Sequence, residues 1–191
     1  SKLKINKNRY KILNFAASNK NYIGNFYINL KLSNLSTSFK QNEGKSIKIK
    51  YKKLSSLLSK KKNNNFIIFK MDLEGSEYYV LKDIIKFLIK NKNIAILIEL
   101  HPTKYKRGQM EILFKQLFKN GYNIKFVESA GSSIPFEFKK NNLKPFLVSG
   151  SRGLYKNVSK KFVLENAFLP KYKLSNFGKG FIDKLIRSIM L

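Results

Sequence analysis

The chain has 191 residues, enough for one ordinary domain with its own core and too few for two large ones. Hydrophobic residues make up 43% of it and no apolar run is long enough to cross a bilayer, so we expect a globular fold without a transmembrane segment. The absence of cysteine excludes disulfides and a cysteine nucleophile, the single histidine excludes a cluster of histidine ligands so that we expect no metal site, and the net charge of +28 indicates a polyanionic partner.

The first third of the chain predicts short strands separated by polar turns. Tyr10–Ala17 and Asn25–Leu30 are expected to form a strand–turn–strand unit across the turn residues between them. Ile47–Tyr51 alternates apolar residues with lysines, which is typical of an edge strand with one face in water. Leu54–Lys62 predicts a short helix with a basic end.

A β-α-β unit follows between Phe66 and Pro102. The apolar run Phe66–Met71 predicts a buried strand, and Ser76 is placed to cap a helix from Glu77 to Asn91. That helix repeats its apolar residues at the 3.6-residue period. Ile94–Leu100 predicts the next buried strand, so the unit is expected to be a parallel pair covered by one helix.

Beyond this unit the pattern predicts a helix over Arg107–Asn120 and a strand over Tyr122–Val127, which together favour an open α/β sheet with right-handed crossovers. Leu143–Ser149 and Leu154–Val158 are expected to form a hairpin. Phe181–Leu191 predicts a C-terminal amphipathic helix.

The segment IIFKMDLEGSEYYVLKDI resembles the hallmark of FkbM-type S-adenosylmethionine-dependent methyltransferases, in which a strand ends in a charged, glycine-containing run before a helix. The matching residues are Lys70, Asp72, Glu74, Gly75 and Glu77. The following ILIELHP, with Glu99, His101 and Pro102, is similar to the next strand of the family and its ending. With the upstream runs NFAASNKNYIGNFYI and IKIKYKKLSSLL, the resemblance covers roughly residues 8–102.

This resemblance implies an incomplete Rossmann-like class I methyltransferase sheet, in residues 1–158, followed by a basic C-terminal extension in residues 159–191 with aromatic residues and a helix. The family begins with a glycine-rich strand-to-helix turn that holds the cofactor, and no strand of this chain carries such a turn. We therefore expect that the central strand and one neighbour are missing. A partner chain, a divided polypeptide or a fold remodelled around a partner would account for this, within an obligate assembly.

The resemblance also implies the site. If the protein is active, Asp72, Glu74, Glu99 and His101 are the catalytic candidates, and Asp72 and Gly75 are the candidates for binding S-adenosylmethionine. A structural interpretation stands beside this one. Asp72 and Glu74 would then bind backbone amides at the turn, Glu77 would serve the N-terminus of the following helix, and His101 would be a hydrogen-bonded residue at a strand end.

The charge suggests which lysines bind RNA. Lysine supplies 35 of the 39 basic residues, and the bias toward lysine and asparagine is also what an A/T-rich genome would produce. Aromatic residues stand among the lysines of the tail, where bases could stack and phosphates could pair. The RNA-binding candidates are Lys60, Lys61, Lys62, Lys160, Lys161, Lys171, Lys173 and Lys179.

Our leading hypothesis is a non-catalytic, methyltransferase-derived subunit of a ribonucleoprotein. It would be an intracellular protein, with ribosomal RNA of a mitochondrial ribosome as the natural partner, and it would hold no cofactor in this chain alone. The alternative is an active O-methyltransferase completed by another chain that carries the cofactor loop. A third hypothesis, a peripheral membrane protein, requires its C-terminal helix to bind anionic lipid.

Overall fold

A computed structural model of the chain describes residues 12–28, 45–58, 66–168, 171–174, 180–183 and 185–191. These residues form five α-helices and eleven strands. The strands are β1 Ala16–Ser18, β2 Tyr22–Ile28, β3 Lys45–Lys53, β4 Ile67–Met71, β5 Ile94–Glu99, β6 Phe126–Ser129, β7 Leu147–Ser149, β8 Arg152–Tyr155, β9 Lys171–Leu174, β10 Gly180–Asp183 and β11 Ile186–Met190. The helices are α1 Leu54–Leu58, α2 Glu77–Lys90, α3 Gln109–Lys119, α4 Phe136–Lys140 and α5 Lys160–Asn166.

The main sheet has six strands in the order β4-β5-β11-β6-β8-β7. β4 and β5 are parallel, as the β-α-β pattern predicted, and their register pairs Phe69 with Ile96. β11 lies between β5 and β6 and runs antiparallel to both. The sheet is therefore mixed, and the two parallel strands occupy one end of it.

The core lies between one face of this sheet and the helices. Helix α2 buries the residues at its 3.6-residue period, namely Val80, Leu81, Ile84, Ile85 and Leu88. Helix α3 ends where predicted, because Gly121 has φ +92° in the left-handed C′ position that most residues avoid. Phe114 of α3 and Phe138 of α4 are fully buried in the same cluster as Ile98 and Ile189 of the sheet.

A second, three-stranded sheet has the order β1-β3-β2. The parallel pairing of β1 with β3 and the antiparallel pairing of β2 with β3 place β3 at the centre. Two predictions were wrong here: β3 is not an edge strand among the described residues, and the first two strands do not pair with each other. The alternation of β3 remains visible, since Tyr51 is its one buried residue and the lysines stay exposed.

The predicted C-terminal helix is also wrong, because the segment forms β10 and β11. The segment contains β-branched residues, which favour strands. Between β5 and β6 a strand also finds main-chain hydrogen-bond partners on both sides. Together these outweigh the helical spacing of the apolar residues. Ile186 and Ile189 are fully buried. The boundary that we predicted after residue 158 therefore does not separate this strand from the main sheet.

Smaller differences concern element ends. β1 is limited to Ala16–Ser18 among the described residues, β2 begins at Tyr22 rather than Asn25, and β6 is shifted toward Ser129. Helix α1 is described to Leu58, so the rest of the predicted helix to Lys62 lies outside the described residues. The predicted hairpin is confirmed as the β7–β8 pair, but its turn is limited to Gly150 and Ser151, because Ser149 already pairs with Arg152.

Candidate functional site

The turn between β4 and α2 has an unusual backbone conformation. Glu74 has φ +48° and Gly75 has φ +103°, both in the left-handed region. Glycine adopts such angles without steric cost, whereas a glutamate there is held by its surroundings. This geometry brings the amides of Leu73 and Gly75 to the same carboxylate, that of Glu77, at 2.6 and 3.0 Å. The sequence-based alternative had assigned turn amides to Asp72 and Glu74 instead.

Glu77, the first residue of α2, is fully buried. Besides the two amides, its carboxylate accepts a hydrogen bond from the Tyr105 hydroxyl at 2.7 Å and contacts His101 Nδ1 at 3.1 Å. Burial alone would raise the pKa of Glu77, but the hydrogen bond and charge of His101, with the bonds from Tyr105 and Leu73, outweigh it and lower the pKa. Glu77 is therefore a buried anion that is fixed by four donors.

Tyr105 completes this arrangement from the far side. Its hydroxyl accepts a hydrogen bond from the His101 amide at 3.0 Å while it donates to Glu77. Burial, together with the charge of Glu77, raises the pKa of the Tyr105 hydroxyl well above its ordinary value, so it stays a donor. The sequence-based reasoning missed Tyr105. The available signal was its position four residues after His101. Tyr105 ends the short 3₁₀ segment Pro102–Lys104 that follows the carboxyl end of β5.

His101 is oriented by these contacts. A carboxylate only accepts hydrogen bonds, so the contact with Glu77 places a hydrogen on Nδ1. The other ring nitrogen, Nε2, takes no part in this contact. Nε2 lies 3.5 Å from a carboxylate oxygen of Glu74. The His101 side chain is 14% exposed, and that of Glu74 26%, so this side of the ring reaches solvent.

Asp72 joins Glu74 and His101 at the carboxyl ends of β4 and β5. One ligand-capable atom from each of the three residues lies within 4.8 Å of the others. Asp72 is the most exposed of them, and its carboxylate lies 3.6 Å from the ammonium group of Lys70, a side chain that is itself 68% exposed. Three of the four predicted catalytic residues are therefore brought together, and Gly75 lies in the turn beside them.

The fourth predicted residue, Glu99, does not belong to this cluster. It forms an ion pair with Arg187 of β11 at 3.0 Å, and Arg187 also lies 3.8 Å from Glu128 of β6. Glu128 in turn accepts a hydrogen bond from Ser188 at 2.9 Å and lies 3.5 Å from Arg152. These contacts connect four neighbouring strands, β5, β11, β6 and β8, so the role that they indicate for Glu99 is in holding β11 to the sheet.

Two of the predicted RNA-binding lysines have described side chains. Lys160 lies over the ring of Phe118 at 5.4 Å, and Lys161 is 84% exposed and lies 3.9 Å from Glu165. Lys171 and Lys173 lie on β9, of whose side chains nothing is described. Lys60, Lys61, Lys62 and Lys179 lie outside the described residues. RNA binding by these lysines stays a prediction.

In open α/β folds, a cofactor such as S-adenosylmethionine is held by a glycine-rich turn between a strand and a helix. Gly178 and Gly180 are two positions apart, but Gly180 begins β10 rather than a helix. Side chains added at Gly24 and Gly153 would meet protein atoms, the Tyr22 ring and the Ser133 carbonyl, and not an open ligand cradle. Asp72 is one strand-end carboxylate without a glycine turn facing it. The described residues do not form a complete site for this cofactor.

A cavity of about 310 Å³ lies beside the turn, between the three-stranded sheet and the first turn of α2. Its floor includes the stacked rings of Tyr22 and Tyr51, whose centroids are 4.4 Å apart. Ser76, next to the β4–α2 turn, lines one side of it. Ser76 is the N-cap residue of α2, as predicted, but its side chain makes no cap hydrogen bond to the helix. None of the helices in the described part of the chain is both long and apolar enough to cross a membrane.

Comparison with known proteins agrees with the motif. Residues 2–131 match the methyltransferase FkbM domain, and this match includes the β4–α2 turn, His101 and Tyr105. No curated protein and no solved structure matches the chain. The match extends the resemblance past residue 102 and through α3. Because it covers more than half of the sequence, the chain belongs to the FkbM methyltransferase family.

Proposed function

We propose that this chain supplies the acceptor side of a methyl transfer from S-adenosylmethionine to a hydroxyl group. The observation that carries the proposal is the convergence of Asp72, Glu74 and His101 at the ends of two parallel strands, with His101 oriented by a buried anion. Ligand sites in open α/β sheets lie at such strand ends. Family membership supports the reaction class.

The chemistry follows from the acceptor atoms of the cluster. Two carboxylates and an imidazole nitrogen accept hydrogen bonds, so a hydroxyl placed among them would be held through its hydrogen and made a better nucleophile as it loses that proton. Glu77 and Tyr105 are positioning residues, because they contact His101 and are not among the three side chains that converge at the strand ends.

The remaining part of the cofactor site would be supplied at the free edge of β4. Among the described residues β4 pairs only with β5, and Phe66 and Ile68 are 65% and 61% exposed. Apolar residues on an unpaired strand favour pairing with a further strand. That strand would complete a Rossmann-like sheet and bring the glycine turn opposite Asp72. It would come from a partner chain or from another part of a divided polypeptide.

The test is calorimetric titration with S-adenosylmethionine. The protein purified together with its native partners is expected to bind it, and the Asp72→Ala variant in the same assembly is expected to lose that binding. Transfer of labelled methyl to a hydroxyl-bearing acceptor would then identify the substrate class. Absence of binding in the native assembly, with correct folding shown by circular dichroism, would contradict the proposal.

A second candidate function is RNA association, which the net charge of +28 favours. In this proposal the protein is a basic subunit of a ribonucleoprotein such as a mitochondrial ribosome, and the strand-end cluster is inherited from a catalytic ancestor. RNA association by itself does not exclude methyl transfer, since an RNA ribose also carries a hydroxyl.

RNA association is tested by the salt dependence of binding to a ribosomal RNA hairpin. Affinity is expected to fall linearly with the logarithm of salt concentration, with a slope that reports the number of neutralised phosphates. Reversing two charges, with Lys160→Glu and Lys161→Glu together, is expected to make the slope less steep. An affinity that does not change with salt would contradict this candidate function.

A further inference from the structure

We propose that Asp72, Glu74 and His101 bind a divalent metal ion of the manganese or zinc class. The single histidine and the lack of cysteine led us to expect no metal site from the sequence, because the ligands are separated along the chain and converge only when β4 and β5 pair. They offer two carboxylate oxygens and one imidazole nitrogen. This mixture of oxygen and imidazole donors suits Mn²⁺, Fe²⁺ or Zn²⁺ better than it suits Ca²⁺.

The first step of the argument is the spacing of the ligand atoms. Metal bonds to imidazole nitrogen and carboxylate oxygen are about 2.1 Å long, so two ligands on opposite sides of an ion stand about 4.2 Å apart. The three atoms lie within 4.8 Å of one another, and Nε2 of His101 lies 3.5 Å from Glu74. Shifts of a few tenths of an ångström in the Asp72 side chain, which is partly exposed, would close the set around an ion.

The second step is the orientation of His101. Its Nδ1 hydrogen is engaged by Glu77, a carboxylate that is fully buried and held by backbone amides. This is the arrangement of a metal-binding histidine whose other nitrogen is fixed by a carboxylate, which sets the tautomer and presents Nε2 to the ion. Tyr105 holds the same carboxylate and thus fixes it further.

The third step is electrostatic. Ligand-capable oxygens of Asp72 and Glu74 lie within 4.8 Å of each other and of an imidazole nitrogen of His101. Two carboxylates at this spacing repel each other unless a positive charge lies near both. The ammonium group of Lys70 lies 3.6 Å from the Asp72 carboxylate, and its side chain is 68% exposed. A metal ion bound by all three residues would supply positive charge to both carboxylates.

The left-handed conformation of Glu74 fits this role. A non-glycine residue at φ +48° is uncommon, and here that residue is one of the three proposed ligands. Three protein ligands leave further coordination positions for water or for the oxygen of a bound hydroxyl. With the three side chains engaged as ligands, the ion would take over from them the activation of the acceptor hydroxyl, since a hydroxyl bound to a metal ion is more acidic, as metal-bound water is. This use of the ion rests on the proposed methyl transfer, whereas binding of the ion does not.

The experiment is titration of the full chain with MnCl₂, followed by calorimetry and by the electron paramagnetic resonance signal of free Mn²⁺, with no S-adenosylmethionine present. We expect one saturable site. The isosteric variant Asp72→Asn, which leaves the buried Glu77 network intact, is expected to weaken binding at least tenfold, and His101→Gln is expected to do the same. Glu165→Gln, which changes an exposed carboxylate on α5, is the matched control and is expected to bind like the wild type.

Each outcome decides the proposal. Saturable binding that both site variants weaken and the control does not would support it. No saturable binding, or binding that Asp72→Asn leaves unchanged, would overturn it. If His101→Gln fails to fold, the Asp72→Asn result decides alone. Metal binding without S-adenosylmethionine binding would uphold the metal site and contradict the proposed methyl transfer. S-adenosylmethionine binding without metal binding would uphold the proposed methyl transfer and contradict the metal site.

Discussion

Two charged clusters at the main sheet differ in how their carboxylates are held. Glu77, the first residue of α2, is fully buried and accepts hydrogen bonds from two backbone amides, a phenol and an imidazole. Glu128, on β6, contacts two arginines and a serine hydroxyl, and its side chain is 19% exposed. Fixed donors in a dry environment hold a charge in one geometry, whereas flexible arginines in contact with water hold it loosely.

This difference separates positioning for chemistry from attachment of a strand. The Glu77 cluster orients one ring, His101, toward an open group of carboxylates. The Glu128 cluster joins β11 to its neighbours on both sides. Variants of the two clusters should therefore differ in how much they lower the free energy of unfolding, and in how that loss depends on pH and on salt.

The largest effect is expected from Glu77→Ala. Removing this carboxylate leaves two buried amides, the Tyr105 hydroxyl and His101 without their acceptor, so we expect a loss of about 3–5 kcal/mol in the free energy of unfolding. Urea denaturation of the full chain measures it. Glu165→Ala, at an exposed carboxylate, should change stability by less than about 0.5 kcal/mol. Equal effects of the two substitutions would show that Glu77 is not buried as described.

A similar but smaller loss is expected when β11 is weakened at its core. Ile189 is fully buried between β5 and β6, and Ile189→Ala should cost about 3 kcal/mol, the middle of the range for such a deletion. Ile112, on α3, is 65% exposed, so Ile112→Ala should cost far less. Urea denaturation compares the two variants. A small cost at Ile189 would favour the C-terminal helix that the sequence predicted.

The pH dependence of stability should distinguish the clusters further. The folded-state pKa of Glu77 lies below its ordinary value of 4.5, so its ionisation contributes stability that is fully present above about pH 4.5 and is lost as the pH falls through the folded pKa. The difference in unfolding free energy between the wild type and Glu77→Gln should therefore shrink as the solution is acidified from pH 6 to pH 3. A difference that grows on acidification would mean that the pKa is raised instead.

The smallest effect is expected in the Glu128 cluster. Arg187 is 31% exposed, so Arg187→Ala should cost about 1 kcal/mol, and less at high salt because exposed pairs are screened. A double-mutant cycle with Glu128→Gln isolates the coupling between the two side chains. A coupling several times larger, and unaffected by salt, would mean that this cluster resembles the Glu77 cluster after all.

The sequence predicted the central unit well because its signals are local. The period of α2, the apolar runs of β4 and β5 and the glycine after α3 each report on their own neighbourhood, and the structure places them within a residue or two. The hallmark run from Lys70 to Glu77 likewise pointed to the right turn. Within it, the sequence assigned the turn amides to the wrong acids, because which carboxylate reaches an amide depends on the left-handed angles of Glu74 and Gly75.

The failures are non-local. The slot that turns Ile186–Met190 into a strand is made by β5 and β6, which lie far away in the sequence. Tyr105 reaches Glu77 across 28 positions, and nothing in its own surroundings in the chain marks that contact. The pairing of Glu99 with Arg187 follows from the same strand insertion, so it could not be predicted while that segment was read as a helix.

The central claim is that Glu77 orients His101, and the single histidine of the chain permits a direct test. With histidine labelled by ¹⁵N, one imidazole gives all the signals, and its two nitrogen shifts report the tautomer at pH 8.5, where an ordinary histidine is neutral. We predict hydrogen on Nδ1 in the wild type and loss of this preference in Glu77→Gln. Hydrogen on Nε2 in the wild type, or identical spectra of the two proteins, would contradict the account.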